Sequence, residues 1–148
     1  MSDSIKVAIR VRPFNALEKS KDAKACVEVD GQQVKVYQPE PNQNEEPKQY
    51  AFHRCYWSTD DSMGYPPINN NDIFEDIGKD ILNHVYQGYD ATIFAYGQTG
   101  SGKSFSIEGI VNGNVKGILQ MSLDDIFLRK MVENKSNAIA TTVQVHYF

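Results

Sequence analysis

One stretch of eight residues, Gly97-Gln98-Thr99-Gly100-Ser101-Gly102-Lys103-Ser104, limits what this chain can fold into more than any other. It satisfies the phosphate-binding pattern G-x-x-x-x-G-K-[ST] at every fixed position. Glycines at these places let backbone N–H groups turn inward around α- and β-phosphates, where side chains would obstruct the turn. Lys103 brings a point charge to the β- and γ-phosphates, and the hydroxyl of Ser104 is the right type and place for a Mg²⁺ ligand. Such a loop works between a strand that enters it and a helix that leaves it. The apolar run Ala91-Thr92-Ile93-Phe94-Ala95-Tyr96 is therefore expected to be a buried strand, with a helix starting near Gly102.

The rest of the chain is compatible with one domain. Its 148 residues carry 41% hydrophobic and 23% charged side chains, the make-up of an ordinary soluble globular protein. A net charge of −4, with no run of Lys or Arg, gives no general attraction to nucleic acid. No stretch approaches the roughly 18 consecutive apolar residues of a membrane span. The first residues lack the apolar core of a secretory leader, which points to a cytosolic protein. Cys26 and Cys55 are scattered thiols without metal spacing and are expected to stay reduced.

Hydrophobic patterning supplies the elements. Alternation through Ile5-Lys6-Val7-Ala8-Ile9-Arg10-Val11-Arg12 predicts a strand that stops at Pro13, which cannot donate to a ladder. Val27-Glu28-Val29 and Val34-Lys35-Val36-Tyr37 flank the turn pair Asp30-Gly31 and predict a hairpin. Residues 38–49, rich in Pro, Asn and Glu, read as a solvated loop, and so do 58–71. Tyr50-Ala51-Phe52 and Cys55-Tyr56-Trp57 between them read as strand. An amphipathic helix is expected over 72–86, with Ile73, Phe74, Ile77, Ile81, Leu82 and Val85 on one face. Asn71 or Asp72 would cap it and Gly88 would end it. A second helix is expected over 118–131, with Leu119, Leu123, Ile126 and Phe127 on one face, and a final strand over 141–148. Asp124-Asp125 read as solvated helix surface, because no apolar strand leads into them. His53, His84 and His146 have no partners at metal-ligand spacing.

Several local features converge. Arg10-Val11-Arg12-Pro13-Phe14-Asn15 closes the first strand, Tyr89-Asp90 precedes Ile93-Phe94-Ala95-Tyr96-Gly97-Gln98-Thr99-Gly100, Glu108-Gly109 follows the loop, and Gly117-Ile118-Leu119 opens the next helix. This order and spacing resembles the N-terminal part of the kinesin motor domain over nearly the whole chain. Arg12-Pro13-Phe14-Asn15 with Cys55-Tyr56-Trp57-Ser58 looks most like the monomer-to-dimer vesicle-transport subclass. The resemblance implies an α/β fold of the P-loop NTPase type, a three-layer sandwich with a central, mostly parallel sheet, of which residues 1–148 are an incomplete N-terminal part. It implies ATP or ADP with Mg²⁺ as cofactors, microtubules (tubulin) as partner, and a place in the cytoplasm on the cytoskeleton. Cargo and direction of movement are not written in these residues.

Site residues follow position by position. Lys103 and Ser104 match the catalytic phosphate and metal positions, with Gly97, Gln98, Thr99, Gly100, Ser101 and Gly102 forming the cradle. Arg10, Arg12 and Pro13 match residues that flank the adenine, and guanidinium planes suit a purine. Two arginines on a strand, taken without the resemblance, read as a solvated face. Tyr89 matches an aromatic near the base, a position that by itself reads as core. Phe105 follows the loop where the family often carries His, Tyr or Phe. Gln120, Ser106 and Ile107 depart from the family's commoner residues, and the insert from Gly109 to Lys116 is short.

The family's two switches, Asn-x-x-Ser-Ser-Arg-Ser-His and Asp-x-Ala-Gly-Ser-Glu, do not occur in these residues. They position the attacking water and sense the γ-phosphate. The complete motor is expected to be a microtubule-stimulated ATPase, and these 148 residues alone to be inactive, with unpaired strand edges and a tendency to aggregate. Two other readings stand beside this one. A truncated or divergent nucleotide-binding module would have no motor activity. A nucleotide kinase would need a lid or substrate-arginine pattern, which is not seen.

Overall fold

Pro13 lies just past the end of the first strand, where its missing N–H does no harm to a ladder. The computed structural model describes residues 5–38, 46–60, 62, 64, 66–110, 112–135, 142–144 and 146. They fall into two compact units, Met1–Asn69 and Asn70–Phe148.

The first unit contains β1 (Ala8–Val11), α1 (Ala16–Ser20), β2 (Val27–Asp30), β3 (Gln33–Val36), β4 (Lys48–Ala51) and β5 (Arg54–Trp57). β1 and β5 pair in parallel, from Ala8 opposite Arg54 to Val11 opposite Trp57. The expected hairpin forms: β2 and β3 are antiparallel with Asp30 opposite Gln33, and Gly31 takes the left-handed φ of +58° that the turn demands. β4 adds to the free side of β3. Strand alternation turns Val29 and Val34 to the same face, where they pack with Trp57 into a buried cluster flanked by Ile9, Val11, Val27, Val36, Phe52 and Cys55. Each large apolar side chain buried this way contributes about 1.5–3 kcal/mol. Cys26 and Cys55 are free thiols, and burial pushes the Cys55 thiol up.

The second unit opens with α2 (Asn70–Ile73), a π-helical turn (Phe74–Gly78) and α3 (Lys79–Tyr86). A Cβ on Gly78 would stand 2.4 Å from Cδ2 of Phe74, so the wide turn seats the Phe74 ring against a bare glycine. Ile73, Phe74 and Leu82 are buried, whereas Val85 at the end of the stripe is exposed. Gly88, with φ +89°, ends the helix as expected. Its start differs: Asn71 and Asp72 are helical residues rather than caps, and the helix begins at Asn70, whose side chain is buried. α4 (Lys103–Ile107) leaves the glycine loop, an isolated bridge joins Gly109 to Lys116, and α5 (Ile118–Lys135) follows.

Other expectations are corrected as well. Residues 91–96 are not a buried strand: Ile93 is 41%, Phe94 81% and Tyr96 95% exposed. A parallel strand needs hydrogen-bonding neighbours, and among the described residues none pairs with this run. On α5 the apolar face is only partly covered: Ile118 and Met121 are buried, but Leu119 and Phe127 are half exposed. The strand expected over 141–148 lies partly outside the described residues, and its described positions, 142–144 and 146, are not in a strand.

Candidate nucleotide-binding site

The glycine loop is shaped by three residues that only glycine fills without strain. Gly97, Gly100 and Gly102 have φ of +151°, +80° and +97°. At Gly97 a Cβ would also come within 2.6 Å of Ser101 Oγ, so the two sides of the loop close on each other at this point. The Ser101 N–H donates to Gln98 O at 3.1 Å and sets the turn between them. Ser101 Oγ is buried and has no hydrogen-bond partner. Bare glycines, an unpartnered hydroxyl and the start of α4, which has no side-chain cap, form a cradle that a polyphosphate fits.

Lys103 folds back over this cradle. Its ammonium donates to Gly97 O at 2.8 Å and to Gln98 O at 2.9 Å. An ammonium carries three N–H donors, so the loop holds Lys103 in place and leaves one donor for a phosphate oxygen. Ser104 lies in the first turn of α4 and is exposed, and Phe105 beside it is 40% exposed. Among the described residues no group of three His, Cys, Asp or Glu side chains could hold a metal.

Tyr89, at the turn after α3, is 65% exposed, and its ring lies 6.5 Å from that of His84. It is not core, and it belongs to the same unit as the loop.

Arg10, Arg12 and Pro13 belong to the first unit. Arg10 Nε donates to Ser58 Oγ at 2.9 Å, and burial holds its guanidinium below the ordinary range. Ser58 Oγ in turn donates to Ile68 O. Arg12 grips both oxygens of Glu18, at 2.8 and 2.7 Å, and also donates to Pro13 O at 2.7 Å. Glu18 and Asn15 form a reciprocal capping box on α1: the Glu18 N–H donates to Asn15 Oδ1, and the Asn15 N–H to Glu18 Oε2, both at 2.8 Å. The Arg12 guanidinium, with help from the Asn15 N–H, lowers the Glu18 carboxyl from 4.5 to about 2. These in-plane bonds leave the flat faces of the Arg12 guanidinium for stacking. Glu18 and Asn15 were missed from the sequence, though the Asn-x-x-Glu spacing of a capping box was there to be read.

A glycine loop that fits G-x-x-x-x-G-K-[ST], with its lysine folded onto the loop, is the signature of the P-loop NTPase class. Residues 10–148 match the family model described as the kinesin motor domain, and the chain belongs to that family. It is 38% identical over 144 residues to the human kinesin-like protein KIF1C, covering 97% of this chain and 13% of that protein. It is 37% identical over 144 residues to human KIF1B, covering 97% and 8%, and 45% identical over 114 residues to mouse KIF13A, covering 74% and 6%. Among solved structures it resembles KIF14 with ADP in complex with a microtubule, at TM-score 0.77 and 29% identity over 88% of this chain and 34% of that one. A KIF14 dimer with AMP-PNP in complex with a microtubule gives TM-score 0.79 and 28% identity over 90% and 35%. The chain thus spans about a third of those motor chains and a smaller share of the curated relatives. No helix among the described residues is long and apolar enough to cross a membrane.

Proposed function

We propose that this chain is the ATP-binding portion of a microtubule motor, which in its complete form hydrolyses ATP and couples hydrolysis to movement along microtubules. The observation that carries the reading is Lys103, held by Gly97 O and Gln98 O across a loop of positive-φ glycines. A lysine so placed meets the β- and γ-phosphates without first losing the entropy of a free side chain. Gly97, Gln98, Thr99, Gly100, Ser101 and Gly102 would line the phosphates, and Phe105 would border the nucleotide. Arg10, Arg12, Pro13 and Tyr89 are assigned to the adenine on family resemblance, with Arg12 stacking while Glu18 holds its edge.

Ser104 would be the chain's ligand to Mg²⁺, which neutralises charge between the β- and γ-phosphates when bound. Lys103 and Ser104 contribute charge and positioning, the main currency of phosphoryl transfer. Residues that orient the attacking water are not among those described, so the 148 residues by themselves are expected to bind nucleotide and not turn it over. The partner proposed for the complete protein is the microtubule, on the strength of the KIF14 complexes, with a cytoplasmic, cytoskeletal location.

The test is titration of a fluorescent ADP in Mg²⁺ buffer against wild type and Lys103→Ala. Losing a charge-assisted contact should weaken binding by about ten- to a hundredfold. Equal affinity in the two proteins would remove Lys103 from the site, and absence of binding in wild type would remove the reading itself.

A further inference from the structure

The glycine loop is fixed at its front by Lys103. What fixes the back of α4 is a residue that belongs to neither the loop nor the helix. Asn70 is the one buried polar residue among those described, 3% exposed, at the first position of α2. Its carboxamide Nδ2 donates to Phe105 O at 2.9 Å and to Lys116 O at 2.9 Å. α4 ends at Ile107, and the N–H groups of Glu108 and Gly109 both turn back to Ser104 O. Lys116 O lies where the bridge from Gly109 hands the chain to α5. The space there is closed: a Cβ on Gly117 would stand 2.2 Å from Ile107 O, and one on Gly109 2.2 Å from Val115 O. The amide orientation is fixed by the same chemistry, since a flipped group would aim its oxygen at two carbonyl oxygens.

We infer that Asn70 is a positioning residue for the phosphate site. It latches the C-terminal end of α4 to the segment that opens α5, and thereby sets where Lys103 and Ser104 stand at the other end of that short helix. It touches no nucleotide and acts through Phe105. The inference rests on the nucleotide-binding reading of the loop and deepens it.

Three variants test it: Asn70→Asp, Asn70→Gln and Asn70→Ala, each read by fluorescent ADP titration with Mg²⁺ and by amide hydrogen exchange. Asp keeps the shape and loses both donors; Gln keeps both donors and adds a methylene. A latch therefore predicts that Asp weakens ADP binding by about tenfold or more while Gln stays within about threefold, with Ala resembling Asp. Mere filling of space predicts the reverse order, because Gln overpacks a closed site. Exchange should rise in residues 103–109 and 116–121 together, with 27–36 unchanged. Affinity unchanged in Asp and Ala, Gln worse than Asp, or a rise spread over the whole chain would each overturn the proposal. Should wild type bind no ADP, the nucleotide reading fails by itself. The exchange pattern then still decides the latch: paired loss of protection upholds it, and unchanged protection sinks it.

Discussion

Arg12 and Glu18 are joined by a two-pronged ion pair, with guanidinium nitrogens 2.8 and 2.7 Å from the two carboxylate oxygens. The same carboxylate closes the capping box with Asn15, so one acidic side chain ties the end of β1 to the start of α1. The Glu18 carboxyl is lowered from 4.5 to about 2 by this arrangement. A depressed carboxylate stabilises the fold fully above its unfolded value and loses that contribution as pH falls from 4.5 through about 2. Glu18→Gln should melt at a lower temperature than wild type at neutral pH, and the gap should close across that acid window. A gap that stays constant with pH would show that the ion pair adds no stability.

The approach of Gly97 to Ser101 predicts a strong effect from a single methyl group. Gly97→Ala places a Cβ 2.6 Å from Ser101 Oγ at a φ of +151°, so the loop must open to accept it. Nucleotide affinity should fall by at least about tenfold, since strain of roughly 1–3 kcal/mol falls on the binding geometry. Ser101→Gly added to Gly97→Ala relieves the contact but not the φ, and should restore only part of the affinity. Full affinity in Gly97→Ala, measured by the same titration, would mean that the loop closes differently when nucleotide binds.

Gly78 faces the Phe74 ring inside the π-helical turn. Gly78→Ala gains about 1 kcal/mol of helix propensity. It also drives a Cβ to 2.4 Å from a buried ring carbon, and overpacking of this kind costs about 1–3 kcal/mol. Net destabilisation is expected in urea unfolding, and Phe74→Leu in the same chain should recover some of it. A more stable Gly78→Ala protein would show that the wide turn is dispensable.

Residues 91–96 carry Phe94 and Tyr96 almost fully into solvent. An exposed apolar run with strand chemistry invites pairing with other chains. The 148-residue chain should therefore self-associate at micromolar concentration, and Phe94→Lys should shift sedimentation toward monomer. Monomeric wild type with a sharp, cooperative melting transition would contradict this.

The sequence was sufficient wherever local chemistry decides the outcome. Asp30-Gly31 made a hairpin because the turn needs a left-handed residue. Pro13 ended a strand, Gly88 ended a helix, and Gly97, Gly100 and Gly102 gave the loop before α4 positive φ angles that other residues rarely tolerate. Family membership was legible for the same reason, since it rests on short motifs in fixed order. Tertiary structure decided whatever depends on partners distant in the chain. Residues 91–96 have the composition of a buried strand, yet burial and pairing come from neighbours, and none is present among the described residues. The one-sided pattern of α5 could not reveal that Leu119 and Phe127 stay half exposed. Asn70 looked like one asparagine in a polar loop. Only the fold brings the carbonyls of Phe105 and Lys116, 35 and 46 residues away, to the two hydrogens of its amide.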